Sequence, residues 1–396
     1  MKIVFFTFYY PPDLCAGSFR AISLAKELSK KIGRNDELHI ITTHPNRYIE
    51  FREKAKDFEL ISNVRIHRIK VPSHRSSMIS QIPSFAVYAF LAFIKCKKIR
   101  PNLIIGTSSR LMTGVLAGIS AYKMNCKYFI DLRDIFSETI SELLSRKVRF
   151  LGRVSEAIFN LLEKRLLEGA SGVNVVSEGF YNYFRIKGIN TSNWTFFPNG
   201  VDREFIDTKF DDDKPKSNSL KVIMYAGNIG SGQGLEKVLP SVAKKLEGIY
   251  HFLVIGGGGA SYKLVNAIRN KNVKNIEILP PVSREKLIKY YQEASILFLH
   301  LNDISAFKRV LPSKIFEYSV IGKPIVAGLS GYSAKFMNDN VPHAALFNPG
   351  DASGFLNAIK EAENLIIKNK DISVFVEEYS RQKIMDAMAE HILSNT

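Results

Sequence analysis

The sequence has little cysteine for its length. Its 396 residues include three cysteines, Cys15, Cys96 and Cys126, which are far apart in the chain and odd in number. Such a set fits neither a disulfide framework nor a CxxC metal-binding knuckle. We therefore expect the protein to work in a reducing compartment, the cytoplasm.

The chain also offers no clear signal peptide or membrane span. Met1–Tyr10 has one charged side chain and runs directly into Pro11 and Pro12, so no basic segment precedes a cleavable apolar one. Met78–Ile94 is uncharged over about seventeen residues, but it contains Pro83 and several polar side chains and is short for a bilayer span.

The Met78–Ile94 run is rich in aromatic residues and is followed by a group of cations: Lys95, Lys97, Lys98 and Arg100. An aromatic helix with a basic end suits an interfacial position at an anionic membrane. A buried helix with a basic last turn would also be favoured by the helix dipole. Both interpretations stay open, and they can hold for different faces of one helix.

Acidic residues are scarce relative to basic ones, mainly in the first half of the chain. The formal net charge is +17, and residues 1–200 contain 30 Lys and Arg against 16 Asp and Glu. Nucleic acid, an anionic membrane or a phosphorylated substrate would each explain a basic first domain. A solubility charge without a partner is the alternative.

The length predicts two domains, because one hydrophobic core rarely serves so long a chain. Lys2–Phe8 is strand-like and is followed by a small-residue loop containing Gly17 and then by a helical pattern. This order opens a doubly wound α/β domain, whose ligands lie at the carboxyl ends of the strands. The strand Lys127–Leu132 ends in Arg133 and Asp134, a charged pair that is either functional or a structural salt link.

The α/β pattern begins again after an acidic, polar segment, Asp207–Ser219, which has the composition of a linker. A predicted strand, Leu220–Tyr225, leads into the sequence AGNIGSGQG, which contains Asn228 and Gln233. Alone, this glycine loop is a weak signal for phosphate binding, since glycines also occur in ordinary turns.

The most informative stretch is Leu311–Gly328, LPSKIFEYSVIGKPIVAG. Pro312 suits a first helical turn, and Gly322 with Pro324 marks the end of a helix of about two and a half turns. Lys314 and Glu317 are three residues apart and share one face near the helix start. A cation there suits a phosphate and a carboxylate suits sugar hydroxyls, whereas the bland alternative is a solvated surface pair.

Two motifs carry a family resemblance. Pro198–Asp202 matches the motif NGVD, and Glu317–Pro324 matches the motif E-A-x-A-x-G-x-P, both found in the retaining glycosyltransferases of the GT-B fold, family four. The resemblance extends over nearly the whole chain. It implies an α/β fold of the GT-B class, with two Rossmann-like doubly wound domains facing a cleft and a C-terminal helix crossing back. The first domain, residues 1–203 with the C-terminal helix 375–396, would bind the acceptor on the membrane side. The second domain, residues 204–374, would bind the nucleotide sugar.

The resemblance implies roles for individual residues. Glu317 would accept the ribose hydroxyls, Val282 would contact the base, and Lys308 and Lys314 would hold the diphosphate without a metal or cofactor. Asp134 is the candidate for receiving or orienting the proton of the acceptor hydroxyl, and Arg133 lies beside it. The remaining residues assigned to donor binding are Gly17, Asn228, Gln233, Arg309 and Ser313.

The chain departs from the family pattern at three positions. Arg309 stands where the family has a first Glu, and Asn228 and Gln233 stand where it has Arg and Lys at the diphosphate. We expect Lys308, Arg309 and Lys314 to supply the missing cations. The pattern FK(x)4PSKxFEY with NxGxxQG resembles the branch of bacterial surface-polysaccharide enzymes that includes N-acetyl-L-fucosamine transferases.

The leading hypothesis is a retaining, metal-independent transferase that moves a sugar, such as L-FucNAc, from a UDP-sugar to a polyprenyl-diphosphate-linked saccharide in capsule or O-antigen biosynthesis. Its partners would be a nucleotide sugar, a lipid-linked acceptor and an anionic membrane, with no nucleic acid, and it would sit peripherally at the inner face of the cell membrane. The alternatives are a UDP-N-acetylhexosamine 2-epimerase of the same fold and a non-enzymatic basic protein that binds nucleic acid or membrane.

Overall fold

The structure is a computed structural model that describes residues 1–46, 54–72, 81–108, 111–135, 149–208 and 220–395. The predicted linker residues 209–219, the start of the Met78–Ile94 run and residues 136–148 lie outside the described residues. The chain forms two compact units. The first unit is Met1–Asn199 with Gln382–Thr396, and the second unit is Gly200–Arg381.

The first unit is built on a sheet of eight described strands in the order β3-β4-β2-β1-β5-β6-β7-β8, parallel except for the antiparallel pair β3 and β4. The order from β4 to β7 is the 3-2-1-4-5-6 arrangement of dinucleotide-binding folds, which reverses direction between β1 and β5. The strands are β1 Lys2–Phe6, β2 Glu37–Thr43, β3 Phe58–Ile61, β4 Val64–Ile69, β5 Leu103–Thr107, β6 Lys127–Leu132, β7 Gly172–Val175 and β8 Trp194–Phe196.

Helices cover this sheet because its central strands are apolar on both faces; all five residues of β5, for example, are buried. The described helices of the first unit are α1 Ala16–Lys31, α2 Ile82–Ile99, α3 Leu111–Met124, α4 Arg149–Glu168 and α5 Gly179–Ile186, together with the C-terminal helix α14 Arg381–Ser394, which begins at the last residue of the second unit.

The second unit repeats the same plan with a fully parallel sheet in the order β11-β10-β9-β12-β13-β14. Its direction reverses between β9 and β12. The strands are β9 Lys221–Asn228, β10 Tyr250–Gly257, β11 Ile276–Leu279, β12 Ile296–His300, β13 Ile325–Gly328 and β14 Ala344–Phe347. The helices are α6 Arg203–Ile206, α7 Leu235–Lys245, α8 Ser261–Asn270, α9 Arg284–Glu293, α10 Ser313–Tyr318, α11 Tyr332–Asn340, α12 Ala352–Ala362 and α13 Asn369–Tyr379, with a 3-10 helix at Ser305–Arg309.

Two predicted elements differ from the structure. The helix after Pro312 has six residues rather than two and a half turns, because the chain tightens at its end: the Val320 N–H donates to the Glu317 carbonyl three residues back. The predicted closing helix, which the domain assignment placed as 375–396 in the first domain, is broken at Ser380. There the backbone pairs with Val201, so its amide groups cannot continue a helix.

The C-terminal helix α14 completes the core of the first unit. Met385 and Met388 are fully buried and pack in the same cluster as Leu24 and Leu28 of α1. The chain therefore returns to the first unit after building the second, and the return is fixed by apolar burial.

A buried ion pair joins the elements of the first unit. Arg20 of α1 donates two hydrogen bonds of 2.8 Å to Asp131 of β6, and both side chains are almost fully buried. The same guanidinium donates to the carbonyl oxygens of Phe197 and Pro198, at 2.9 and 2.6 Å. The Asn174 side chain also donates to Asp131, at 2.8 Å. The pair thus holds the end of β8, where the chain leaves the first unit.

Replacing Asp131 by alanine should lower the free energy of unfolding of the first unit by about 3 to 5 kcal/mol, because Arg20 would stay buried without a counter-charge. The measurement is urea unfolding followed by the fluorescence of Trp194, the single tryptophan of the chain, which lies in this unit. Asp57→Ala is the matched control, since Asp57 is an exposed carboxylate of the same unit, 3.2 Å from Lys70. Equal shifts of the urea midpoint in both variants would contradict the prediction.

Candidate functional site

The glycine loop of the second unit is held by the two polar residues predicted for donor binding. Asn228 is the last residue of β9, and its side chain donates to the Gln233 side-chain oxygen at 2.9 Å. The Gly230 N–H donates to the same oxygen at 3.1 Å. The structure therefore brings Asn228 and Gln233 together, and the bonds between them order the loop at the carboxyl end of β9.

His300, which was not predicted from the sequence, also holds this loop. It is the last residue of β12, the neighbour of β9 at the point where the strand order reverses. The Gly350 N–H donates to His300 Nε2 at 3.0 Å, so Nδ1 carries the proton and donates to the Gln233 carbonyl at 2.6 Å. Burial lowers the pKa of His300, which favours this neutral form. The loop is therefore attached to two neighbouring strands at the edge where open α/β sheets bind ligands.

Lys314 and Glu317 form the centre of the site on α10. The Lys314 ammonium lies 2.7 Å from Glu317 Oε2 and 3.1 Å from the hydroxyl of Tyr291, a fully buried residue of α9. The two side chains share one face of the helix, as predicted. They also form the ion pair of the bland alternative, but Glu317 is only 8% exposed, so the pair is largely buried rather than solvated. A buried pair of this kind needs precise hydrogen bonds to offset its desolvation, and Tyr291 provides one.

One oxygen of the Glu317 carboxylate remains available. The contacts to Lys314 and Tyr291 both involve Oε2, and in the described part of the chain Oε1 has no hydrogen-bond partner. The neighbouring Tyr318 hydroxyl accepts the Ala226 N–H at 3.0 Å, which anchors α10 to the end of β9. The carboxylate is thus held in place through one oxygen while the other can accept hydrogen bonds.

Arg284, the first residue of α9, is a second residue that the sequence did not reveal. It forms an ion pair with Asp202 of the NGVD motif and another, at 2.9 Å, with Glu204. Burial opposes the ionisation of Arg284, but the nearby carboxylates of Asp202 and Glu317 outweigh it and raise its pKa. A weak signal existed, because Ser283 predicted a helix start beside the Val282 loop.

Asp202 also binds Arg381 in the same unit. The Arg381 Nε lies 3.2 Å from Asp202 Oδ1, and its Nη2 donates to the Gly200 carbonyl at 3.1 Å. Asp202 therefore links α9 to the point where the chain leaves the second unit. Asp202 of the NGVD motif therefore acts as a structural clamp. Its ion pair with Arg284 connects the motif to α9, the helix whose Tyr291 contacts Glu317.

Four further residues that the sequence assigns to the donor lie in the second unit: Lys308, Arg309, Ser313 and Val282. Lys308 and Arg309 are in the 3-10 helix, where the Lys308 ammonium lies 3.5 Å from the exposed Asp303. Ser313 is the first residue of α10 and is half-buried. Val282 is half-buried in the loop between β11 and α9. Their predicted roles at the diphosphate and the base stay predictions.

The first unit brings Gly17 and Arg133 together at the carboxyl edge of its own sheet. Arg133 Nη1 lies 2.7 Å from the position that a Cβ on Gly17 would occupy, so a side chain at this position would displace the guanidinium. The Arg133 N–H donates to Ser108 at the end of β5, at 3.2 Å. Arg133 Nε is buried and has no hydrogen-bond partner among the described residues. The fold therefore leaves this hydrogen-bond donor of the Arg133 guanidinium unsatisfied.

Asp134 is separate from the structural carboxylate of the strand, which is Asp131. In the described residues no ion pair within 4.0 Å joins Arg133 to Asp134, so the salt-link interpretation of that pair is not supported. Part of Asp134 is accessible to solvent. Desolvation of its carboxyl by the surrounding protein nevertheless raises its pKa to about 6, against the opposing charge of Arg133. An accessible carboxylate with this pKa can take up a proton near neutral pH.

Comparison with known proteins identifies the second unit. Residues 207–382 match the family described as "Glycosyl transferases group 1". The chain carries a glycosyltransferase group 1 domain. It is therefore a glycosyltransferase, as the motifs NGVD and E-A-x-A-x-G-x-P predicted, and this result favours transfer over the epimerase and the non-enzymatic alternatives.

Individual relatives agree with this family. WcaI of Escherichia coli K12, described as a candidate colanic acid biosynthesis glycosyl transferase, is 23% identical over 351 residues, covering 84% of each chain. Sucrose-phosphate synthase from Thermosynechococcus elongatus superimposes with a TM-score of 0.75 at 14% identity, over 100% of this chain and 98% of that one. Anabaena HepE in complex with UDP-glucose gives 0.69 at 14% identity, over the full length of both. The predicted GT-B fold is confirmed.

Within the described ranges, no group of three or more His, Cys, Asp and Glu side chains is arranged to hold a metal ion. Likewise, no described helix is both long enough and apolar enough to cross a membrane.

Replacing Asp202 by asparagine should destabilise the second unit by about 3 kcal/mol, because two arginines would lose one buried counter-charge. Glu204→Gln is the matched control: it removes the exposed partner of the same Arg284 and should cost much less. Thermal unfolding is followed by circular dichroism, and Trp194 fluorescence in the same sample reports the first unit. If the two variants unfold at the same temperature, Asp202 is not the clamp described above.

Proposed function

We propose that the protein is a retaining, metal-independent glycosyltransferase that uses a UDP-sugar, with an N-acetylated deoxyhexosamine such as L-FucNAc as the transferred sugar. The acceptor is a polyprenyl-diphosphate-linked saccharide in capsule or O-antigen biosynthesis. The observation that carries the proposal is the Glu317 carboxylate, held by Lys314 and Tyr291 through one oxygen with the other available. HepE with bound UDP-glucose, WcaI in colanic acid biosynthesis, and the lipopolysaccharide galactosyltransferase WaaB support it as relatives.

In this proposal the second unit binds the nucleotide. Glu317 Oε1 accepts hydrogen bonds from the ribose hydroxyls, because an ionised carboxylate only accepts and can take two donors. The loop at Val282 contacts the base. The glycine loop held by Asn228 and Gln233 allows the backbone to approach the diphosphate closely, since β9 and β10 end together there: a side chain on Gly256 would overlap the Gly227 carbonyl.

Fixed cations stabilise the leaving diphosphate. Lys314 lies beside Glu317, the carboxylate proposed to bind the ribose. Lys308 and Arg309 lie on the short 3-10 helix that precedes Lys314 in the chain. As the bond between the anomeric carbon and the diphosphate oxygen breaks, negative charge grows on that oxygen, and preorganised cations lower the energy of this state. Ser313 at the start of α10 completes the donor side.

The first unit supplies the acceptor side. The acceptor hydroxyl oxygen forms the new bond to the anomeric carbon from the face that the diphosphate leaves, and its proton passes to Asp134. Arg133 borders the same edge of the sheet. It lies next to Gly17, which the sequence assigned to the donor, because a Cβ on Gly17 would lie 2.7 Å from Arg133 Nη1. The raised pKa of Asp134 makes it a better proton acceptor than an ordinary aspartate while it is still ionised at neutral pH.

The enzyme acts at the cytoplasmic face of the membrane as a peripheral protein. Residues 1–200 carry the excess of basic residues, and α2 exposes Phe90 and Leu91 to solvent at 66% and 40%. Exposed large apolar side chains on a basic-ended helix are the features of an interfacial helix. The buried face of α2, with Tyr88 and Cys96 fully buried, belongs to the core of the first unit, as the buried-helix alternative predicted. The exposed face is the one that we propose for the membrane.

UDP should bind without metal, and both Lys314→Ala and Glu317→Ala should weaken its binding by about 1 to 3 kcal/mol, the cost of a lost charge-assisted hydrogen bond. Isothermal titration calorimetry with UDP and GDP measures this. Glu317→Gln keeps the packing and tests the charge alone. Lys221→Ala is the control, because Lys221 pairs with Glu363 at the opposite end of β9. Binding that ignores both residues would leave the fold without the proposed donor site.

Activity should rise with pH through about 6 and level off above it, because Asp134 must be ionised to accept a proton. Asp134→Asn should lose this rise and lower kcat by about a hundredfold or more, with little change in UDP binding. The measurement is UDP release with the donor found in a screen of UDP-N-acetyl sugars. An unchanged pH profile in the variant would assign the proton acceptor elsewhere.

A further inference from the structure

The first unit has a concave surface at the edge of the sheet opposite Asp134. This cavity of about 1040 Å³ lies where the parallel strands begin: Lys2 and Glu37 are the first residues of β1 and β2. Arg133 and Asp134 instead follow the end of β6. The cavity is therefore remote from the proposed acceptor site and has no part in the mechanism described above.

The cavity is lined by four exposed cations: Lys2, Lys97, Lys98 and Arg100. Within the part of the chain that the structure describes, none of the four forms a salt bridge. The one carboxylate in the lining, Glu37, is paired with Arg65 at 2.9 Å and with His39 at 3.0 Å, and the hydrogen bond from His39 lowers its pKa. The lining is thus strongly positive, because its one acidic side chain is already paired with Arg65 and His39.

The C-terminal dipole of α2 explains part of this charge but not all of it. Lys97 and Lys98 lie in the last turn of α2, where cations are favoured. Arg100 lies beyond the helix in a left-handed conformation, with φ of 55°, and Lys2 comes from a different element. Cations from the end of α2 and from the start of β1 converge on one cavity, which is the arrangement expected of an anion site.

The rim of the cavity is apolar on one side. Ile94 lines the cavity and lies one turn of α2 after Phe90, so the two share a face of the helix. Both are exposed, together with Leu91. A soluble phosphate would need the cations alone. A phospholipid presents a phosphate next to an acyl chain, which matches a positive cavity beside an exposed apolar strip.

We propose that this cavity binds the phosphate headgroup of an anionic phospholipid, with Phe90, Leu91 and Ile94 at the acyl boundary. The inference rests on the proposed membrane association and adds a defined headgroup site to it. It also assigns α2, rather than the basic residues of the unit in general, as the element that contacts the membrane.

The test compares two triple variants that each remove two lysines and one arginine. The cavity variant is Lys97→Gln, Lys98→Gln and Arg100→Gln. The matched control is Lys263→Gln, Lys271→Gln and Arg269→Gln, which removes exposed cations of α8 and its following turn in the second unit. Co-sedimentation at low salt uses vesicles of phosphatidylcholine with and without phosphatidylglycerol, and calorimetry uses inorganic phosphate without lipid.

The cavity variant should bind phosphatidylglycerol vesicles about a hundredfold more weakly than wild type, at about fivefold for each cation, the factor that corresponds to ~1 kcal/mol per Lys or Arg at an anionic surface. The control should change binding less than about twofold, because remote exposed charges are screened. Trp194 unfolding and UDP affinity should be unchanged in both variants, which separates this result from misfolding.

Equal vesicle binding by the cavity variant and the control would overturn the proposal. Inorganic phosphate that binds wild type but not the cavity variant, while vesicle binding is equal in both, would assign the cavity to a soluble phosphate and overturn the lipid assignment. If wild type itself binds neither kind of vesicle, the membrane part of the proposed function fails together with this site, whereas UDP binding tests the catalytic part independently.

Discussion

Two buried arginine–carboxylate pairs hold the segment by which the chain passes from the first unit to the second. In the first unit, Arg20 and Asp131 grip the carbonyl oxygens of Phe197 and Pro198. In the second unit, Arg381 binds Asp202 and the Gly200 carbonyl. Each guanidinium donates to at least one backbone carbonyl oxygen and forms an ion pair with a buried carboxylate, so its charge is matched away from water.

Much of the fold followed from local patterns in the sequence, but the clamps did not. The alternation of apolar strands with helices predicted both α/β units, because fully buried parallel strands leave continuous apolar runs. The partners of Arg20 and Arg284 are 111 and 82 residues away, and no local pattern reports such a distance. The break at Ser380 was missed for the same reason: the sequence around it is helical, and only the bridge to Val201 interrupts it.

The candidate site shows the same division. The position of Lys314 and Glu317 on one face of a short helix could be predicted from their spacing, whereas the burial of the pair under Tyr291 could not. Asn228 and Gln233 occupy positions where the family has cations, and the structure shows their side chains bonded to each other. On the proposed assignment, this loop lacks the cations of the family and is instead ordered by its own hydrogen bonds. The positive charge needed by the diphosphate comes from the helices that follow β12.

The Lys314–Glu317 pair also bears on how a cycle of reaction would end. A buried cation and carboxylate that each waited alone for substrate would hold a nucleotide tightly, because its departure would leave two unpaired charges. Here the two charges are already paired with each other directly, and the Tyr291 hydroxyl contacts both. On the proposed assignment, the departing nucleotide diphosphate leaves behind an intact ion pair rather than two unpaired charges. The empty site is then a resting state of its own, which favours the release of product over its retention.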